Sequence, residues 1–184
     1  VNSLIVDHFG NVFSASFIGL VYRYDPDSGA FVECPGLDAN FYVFARDALG
    51  FAYAALEDGL WRFDGDRWSR VAGPDIWSPF QYGPTWFSFS EDGTLWAYAG
   101  PGLLRRNEQG STLFTEACGI DLIYDPYDSS TFQNGVTGIA PLGGARMLVG
   151  TRADGLLLFD GEQFSHIAFG DGLPANAITG LVED

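Results

Sequence analysis

Two stretches of the sequence concentrate side chains that could do chemistry. Residues 73–84 hold Trp77, Phe80 and Tyr82; residues 118–134 hold Tyr124, Tyr127 and Phe132 beside Asp121, Asp125 and Asp128. Aromatic faces next to carboxylates suit sugar recognition, because ring C–H groups stack on the aromatic plane and hydroxyls donate to carboxylates. Trp77, Tyr82, Tyr124 and Tyr127 are the candidate stacking platforms, and Asp125, Asp128 and Arg152 the candidate polar contacts. The competing reading is that these aromatics pack the loops themselves or abut a neighbouring domain.

Other chemistry is thinly supported. Asp121, Asp125 and Asp128, followed by Ser129 and Ser130, are the best cluster of oxygen ligands, of a kind Ca²⁺ accepts. The segment lacks the Gly and the terminal Glu of an EF-hand, so it reads as a solvated acidic loop. No metal site and no cofactor is expected. His8 should be solvated beside Gly10, and His166 falls on an outer strand. Neither has a Ser or Cys partner in a recognisable motif, and no G-x-S-x-G occurs. No catalytic residue is assigned, and the chain is not read as an enzyme. The Asp-Gly pairs fall between apolar runs, which makes them turn residues first.

The elements that would position these loops repeat along the chain. Gly10, Gly50, Gly93 and Gly144 each precede an apolar run and recur at intervals of 40, 43 and 51 residues. A Gly-Leu pair follows each, at Gly19-Leu20, Gly59-Leu60, Gly102-Leu103 and Gly155-Leu156. Every copy contains four short runs rich in aromatic and β-branched residues, bounded by Gly, Asp or Pro, which is strand vocabulary. Asp64-Gly65 and Asp160-Gly161 read as type I′ hairpin turns. Four-stranded units of this length are the mark of β-propeller blades. The runs at Phe41–Ala45 and Trp86–Ser90 are apolar or small on both faces, as an innermost strand between two blades should be. A β-sandwich has no reason to repeat Gly-Leu-x-x-(aromatic)-Asp in fixed phase.

The expected fold is all-β, a β-propeller arc of four four-stranded antiparallel blades plus the first strand of a fifth. The blades fall near 1–39, 40–83, 84–133 and 134–175, and 176–184 opens the further blade. Ser3 to Asp7 already supplies an inner strand for the first blade, so the strand from Ala177 is surplus and the chain reads as an arc of a larger ring. Its lone methionine, Met147, fits a processed or excised piece. Cys34 and Cys118 end outer strands a whole blade apart and should both be free thiols.

Composition agrees with a folded chain. Of 184 residues 47% are hydrophobic and 16% aromatic, enough for a core and incompatible with disorder. Nine arginines and no lysine face 24 acids, for a net charge of -15. That field repels phosphate, so neither nucleic acid nor an anionic membrane surface is a partner. No apolar stretch is long enough to span a bilayer.

The closing segment DGLPANAITGLVED (171–184) and the run VGTRADGLLLFD (149–160) resemble the two-component regulator propeller repeat, in which a "GLPxNxIxxIxxD" junction leads into "GxLWxGTxxGLxxFD". Asp58 to Asp64 keeps part of this pattern, as does Glu91 to Trp96. Ala97-Tyr98-Ala99 and Arg106-Asn107 depart from it. The resemblance implies a periplasmic or extracellular sensor region of a bacterial membrane receptor. In such receptors propellers precede an immunoglobulin-like domain, a membrane span and a histidine kinase or diguanylate cyclase. It also implies a small-molecule or oligosaccharide ligand, contacts with the remaining blades and downstream domains, and room for a homodimer. The signature residues are structural and do not fix the ligand. Two other functions stay open: a propeller polysaccharide lyase or glycosidase, and a protein-binding scaffold.

Overall fold

The computed structural model describes residues 3–16, 19–37, 40–78, 83–99, 102–115, 135–143 and 145–181. Their strands form four separate antiparallel sheets, each an up-and-down meander of four. The first contains β1 (Ser3–Val6), β2 (Val12–Ala15), β3 (Val21–Asp25) and β4 (Ala30–Glu33). The second contains β5 (Phe41–Arg46), β6 (Ala52–Leu56), β7 (Gly59–Phe63) and β8 (Trp68–Ala72). The third contains β9 (Trp86–Phe89), β10 (Leu95–Ala99), β11 (Gly102–Asn107) and β12 (Gly110–Phe114). The fourth contains β13 (Val136–Pro141), β14 (Met147–Thr151), β15 (Leu156–Phe159) and β16 (Phe164–Ile167). Helix among the described residues is confined to 3₁₀ turns at Pro74–Trp77 and Phe169–Asp171. The all-β, four-blade reading of the repeats is therefore correct.

The blades pair into two compact units, Val1–Thr85 and Trp86–Asp184. In the first unit β1 lies beside β5, and in the second β9 lies beside β13. Consecutive residues Val43, Phe44 and Ala45 of β5 are all buried, so both faces of that strand are covered. The fourth strands are the most exposed, and β4 is exposed along its whole length even though it is mostly apolar. β1 departs from the inner-strand pattern. Ile5 packs into the core, but Leu4 and Val6 on the other face are 59% and 42% exposed. Strand register places Tyr24 and Phe31, whose rings are 5.5 Å apart, on that same face.

The repeated Gly-Leu-x-x-Phe-Asp now has a physical account. Gly59 and Gly155 hold positive φ, and a Cβ on either would drive into a carbonyl oxygen, of Ala72 and Ile167 respectively. The glycine is thus where the fourth strand's backbone closes on the third. Phe63 and Phe159, four residues on, sit at equivalent places in two aromatic cores. Phe63 packs 4.8 Å from Phe13, and Phe159 lies 4.7 Å from Phe114 and 5.5 Å from Trp96. The aspartate that follows turns the chain. Asp64 Oδ1 accepts the N–H groups of Asp66 and Arg67, and Asp160 Oδ1 those of Glu162 and Gln163. The turn type differs from expectation. Gly65 and Gly161 have positive φ, but no described non-glycine residue does. Only the glycine is left-handed, whereas a type I′ turn needs both central residues so.

These turns make stability acid-sensitive. The Ser28 hydroxyl bond holds the Asp25 carboxyl below its ordinary 3.8, and backbone N–H groups, led by those of Arg67 and Gln163, do the same for Asp64 and Asp160. A folded-state pKa below the unfolded one stabilises the fold at pH values above the unfolded pKa. That contribution is lost as pH falls through 3.8 to the folded values. Thermal melts from pH 6 to pH 2.5 should show a decline confined to the acid end. Asp64→Asn with Asp160→Asn keeps the acceptor oxygens and should flatten it; an unchanged acid limb would remove these turns from the account.

The segment expected to start a fifth blade is not paired as a strand over 176–181. It crosses the fourth sheet instead. The Ile178 N–H donates to Thr151 O at 2.8 Å, and Asn176 O accepts from Gly155 at 2.8 Å. Ile178 and Leu181 lie over Gly150 and Gly138, where a Cβ would come within 2.8 Å of the Ile178 side chain and 3.1 Å of the Leu181 backbone N. A strand is defined by its ladder, and no described strand runs alongside this segment. His8 is exposed, as expected, and its ring also lies 3.7 Å from that of Phe9, tilted, and 4.5 Å from that of Phe51, edge-on, tying the β1–β2 turn to the second blade. Cys34 is a free thiol; Cys118 lies outside the described residues.

Candidate functional site

Of the seven site residues read from the sequence, the described structure includes Trp77 and Arg152. Tyr82, Tyr124, Asp125, Tyr127 and Asp128 lie outside it. Trp77 ends the 3₁₀ turn that Pro74 begins, pre-set for helical φ at its first position. Its indole is 3% exposed and donates to Leu56 O at 3.2 Å. The ring therefore anchors the 73–84 connection instead of offering a face to solvent. Nearby carboxylates are engaged by their neighbours. Asp58 accepts from Trp61 Nε1 at 2.9 Å and pairs with Arg70 at 3.3 Å, and Glu57 accepts from Asn40 at 2.8 Å. The Asp58–Arg70 pair is solvated and adds little stability.

Arg152, in the second unit, lies in the β14–β15 connection. Its backbone N–H donates to Gly135 O at 3.1 Å, and its side chain is exposed. The loop is rigid beneath it. Thr151 is fully buried, donates to Gly155 O and accepts from Asp154 N–H, each at 2.9 Å. The Arg152 guanidinium thus stands at the surface on a hydrogen-bonded turn. Among the described residues no set of three or more His, Cys, Asp or Glu could hold a metal; the acidic run 121–128 falls outside them.

The first unit also contains a cavity of about 540 Å³ that the sequence did not reveal. It lies between β3–β4 of the first blade and the β7–β8 turn of the second, with Arg23, Glu33, Cys34, Asp66, Arg67 and Trp68 on its walls. Burial pushes the Cys34 thiol up, with the Trp68 N–H and then Arg23 pulling the other way. The thiol is therefore neutral at physiological pH and weakly nucleophilic. The Trp68 N–H is shut from water beside that sulfur, without meeting hydrogen-bond geometry, so the contact is a weak one. Arg23 and Arg67 are 44 positions apart, and no local pattern links them. Their type was the sole available signal, as two of nine arginines in an acidic chain.

No protein-family model matches the chain, and no curated protein matches it. Solved structures do. The extracellular domain of a putative hybrid two-component system from B. thetaiotaomicron aligns with 99% of this chain and 24% of its own length, with a TM-score of 0.63 at 14% identity. Virginiamycin B lyase from Staphylococcus aureus aligns with 90% of this chain and 54% of its own, with a TM-score of 0.59 at 12% identity. A β-propeller domain from Myceliophteria thermophila aligns with 90% and 55%, with a TM-score of 0.53 at 16% identity. The chain thus spans about a quarter of the first and about half of the others. At these identities the likeness shows the fold, and that fold is the β-propeller.

Proposed function

We propose that this chain is a ligand-sensing part of the periplasmic or extracellular region of a bacterial signal-transduction receptor. It binds a saccharide through the loops 73–84 and 118–134 with Arg152, and passes the signal to a downstream output domain without catalysing a reaction. One observation carries the reading: the blade alignment runs along 99% of the chain in an extracellular two-component domain, and the same chain ends on the DGLPANAI junction. The site assignment is supported by loop length and residue type, since long loops on a rigid scaffold are where ligands bind. Tyr82, Tyr124 and Tyr127 are the stacking faces, Asp125, Asp128 and Arg152 hold hydroxyls or a charged substituent, and Trp77 fixes the loop from beneath.

A second reading has its own observation, the likeness to virginiamycin B lyase. It would require a proton-transfer group at one mouth of the propeller. Of the two histidines, His8 packs against Phe9 in a turn and His166 is exposed on β16.

Calorimetry of the intact protein containing this chain, against a panel of neutral and acidic oligosaccharides, tests the sensor. Tyr124→Ala and Tyr127→Ala should each weaken binding about fivefold, from roughly 1 kcal/mol of lost stacking. Binding that neither substitution changes puts the site elsewhere. Cleavage of a panel sugar would replace the sensor with the lyase.

A further inference from the structure

The rim cavity of the first unit is built around two guanidiniums with nothing to bind. Arg23 reaches it from β3, and Arg67 from the turn before β8. Among the described residues neither side chain makes a hydrogen bond or ion pair; the one ion pair there is Arg70 with Asp58. Both side chains are exposed on their outer side, so each can turn its guanidinium into the cavity. Arg23 is close enough to Asp25 to help lower its carboxyl, after the Ser28 hydroxyl and the Asp27 N–H, yet Asp25 spends its oxygens on Ser28 and Asp27.

The rest of the lining narrows what could fit. A guanidinium fork matches a planar carboxylate, two donors to two acceptors. Asp25, Glu33 and Asp66 share the cavity, so a dianion such as phosphate would be repelled, while a single carboxylate held between the two guanidiniums and flanked by hydroxyl or ammonium donors would be accommodated. Val32, Pro35 and the edge of Trp68 complete an apolar wall. A volume near 540 Å³ lies in the range of small-ligand sites.

We propose that this cavity is a binding site for a small molecule with a single carboxylate and neighbouring hydrogen-bond donors. The carboxylate bridges Arg23 and Arg67, and the donors face Glu33 and Asp66. Both a uronic sugar and a free amino acid carry this chemistry. The site shares no residue with the loops of the sensing proposal and does not depend on it.

Cys34 on the cavity wall provides the test, in a Cys118→Ser background. Its thiolate displaces iodide from the methylene of iodoacetate or of iodoacetamide, forming the S–C bond as C–I breaks. Iodoacetate brings a carboxylate; iodoacetamide is its neutral counterpart. The rate ratio of acetate to amide at Cys34 should be at least about tenfold higher in the native protein than in the same protein unfolded in urea. It should fall to the unfolded value in Arg23→Gln/Arg67→Gln and stay high in Arg146→Gln. The net charge of -15 would by itself lower the native ratio, so the signs are opposed. A native ratio at or below the unfolded one overturns the proposal without need of any variant. Galacturonate, L-glutamine and neutral galactose are then added as protectants against iodoacetamide. Protection by galacturonate or by L-glutamine supports the site and names its source. Protection by neither, or equal protection by galactose, overturns it.

Discussion

Replacing Trp96 with alanine should cost the second unit about 3–5 kcal/mol, the range for deleting a large buried aromatic. Trp96 is 1% exposed and lies 5.5 Å from Phe159 and 6.1 Å from Phe114, so its loss opens the centre of the aromatic core. The indole N–H also donates to Ser90 Oγ at 2.9 Å, in a site closed to water. Truncation leaves that hydroxyl without its donor. A domain's whole stability is roughly 5–15 kcal/mol, so the variant should sit near the edge of folding. Urea denaturation followed by circular dichroism reads the effect. Trp96→Phe keeps one aromatic ring in the core and loses the hydrogen bond with the remainder of the indole, so it should cost less, about 1–2 kcal/mol. Equal losses in the two variants would mean that the bond, not the packing, holds the core.

The second large effect comes from a single methyl group. Gly59 and Gly110 have the same φ, +135°, but different surroundings. A Cβ at Gly110 meets nothing within 4 Å. A Cβ at Gly59 collides with the Ala72 carbonyl and comes 2.8 Å from the Gly73 carbonyl carbon. Gly110→Ala should therefore cost only the backbone term, about 1–2 kcal/mol. Gly59→Ala adds overpacking of about 1–3 kcal/mol, for a total near 3 kcal/mol or above. Chemical denaturation of the pair separates the two contributions. If both cost the same, close strand approach is not why the Gly-Leu pair recurs. Gly102 and Gly155 meet the carbonyls of Phe114 and Ile167 in the same way and should behave like Gly59.

What was legible in the residues was local. Four apolar runs per repeat, Gly before Leu, and Asp at the strand end are features of one hairpin at a time. Each sets backbone direction or hydrogen bonding within a few residues. Blade number, strand order and the exposed fourth strands followed from them. The same local logic stopped short at Asp66 and Glu162, whose negative φ rules out the I′ turn that an Asp-Gly pair suggests. At 176–181 a strand pattern has no partner among the described strands, so no ladder forms there.

Position across the fold depends on contacts between residues far apart in the chain. Trp77 and any loop tryptophan look alike in sequence; the Leu56 carbonyl, 21 residues away, makes this one an anchor. Arg23 and Arg67 belong to different blades and share a cavity only because Phe13 packs on Phe63 and Trp68 and draws the two sheets together. Repeats specify a blade because its strands are neighbours in sequence. Grooves between blades have walls contributed by separate repeats, and their chemistry exists only once the sheets have packed.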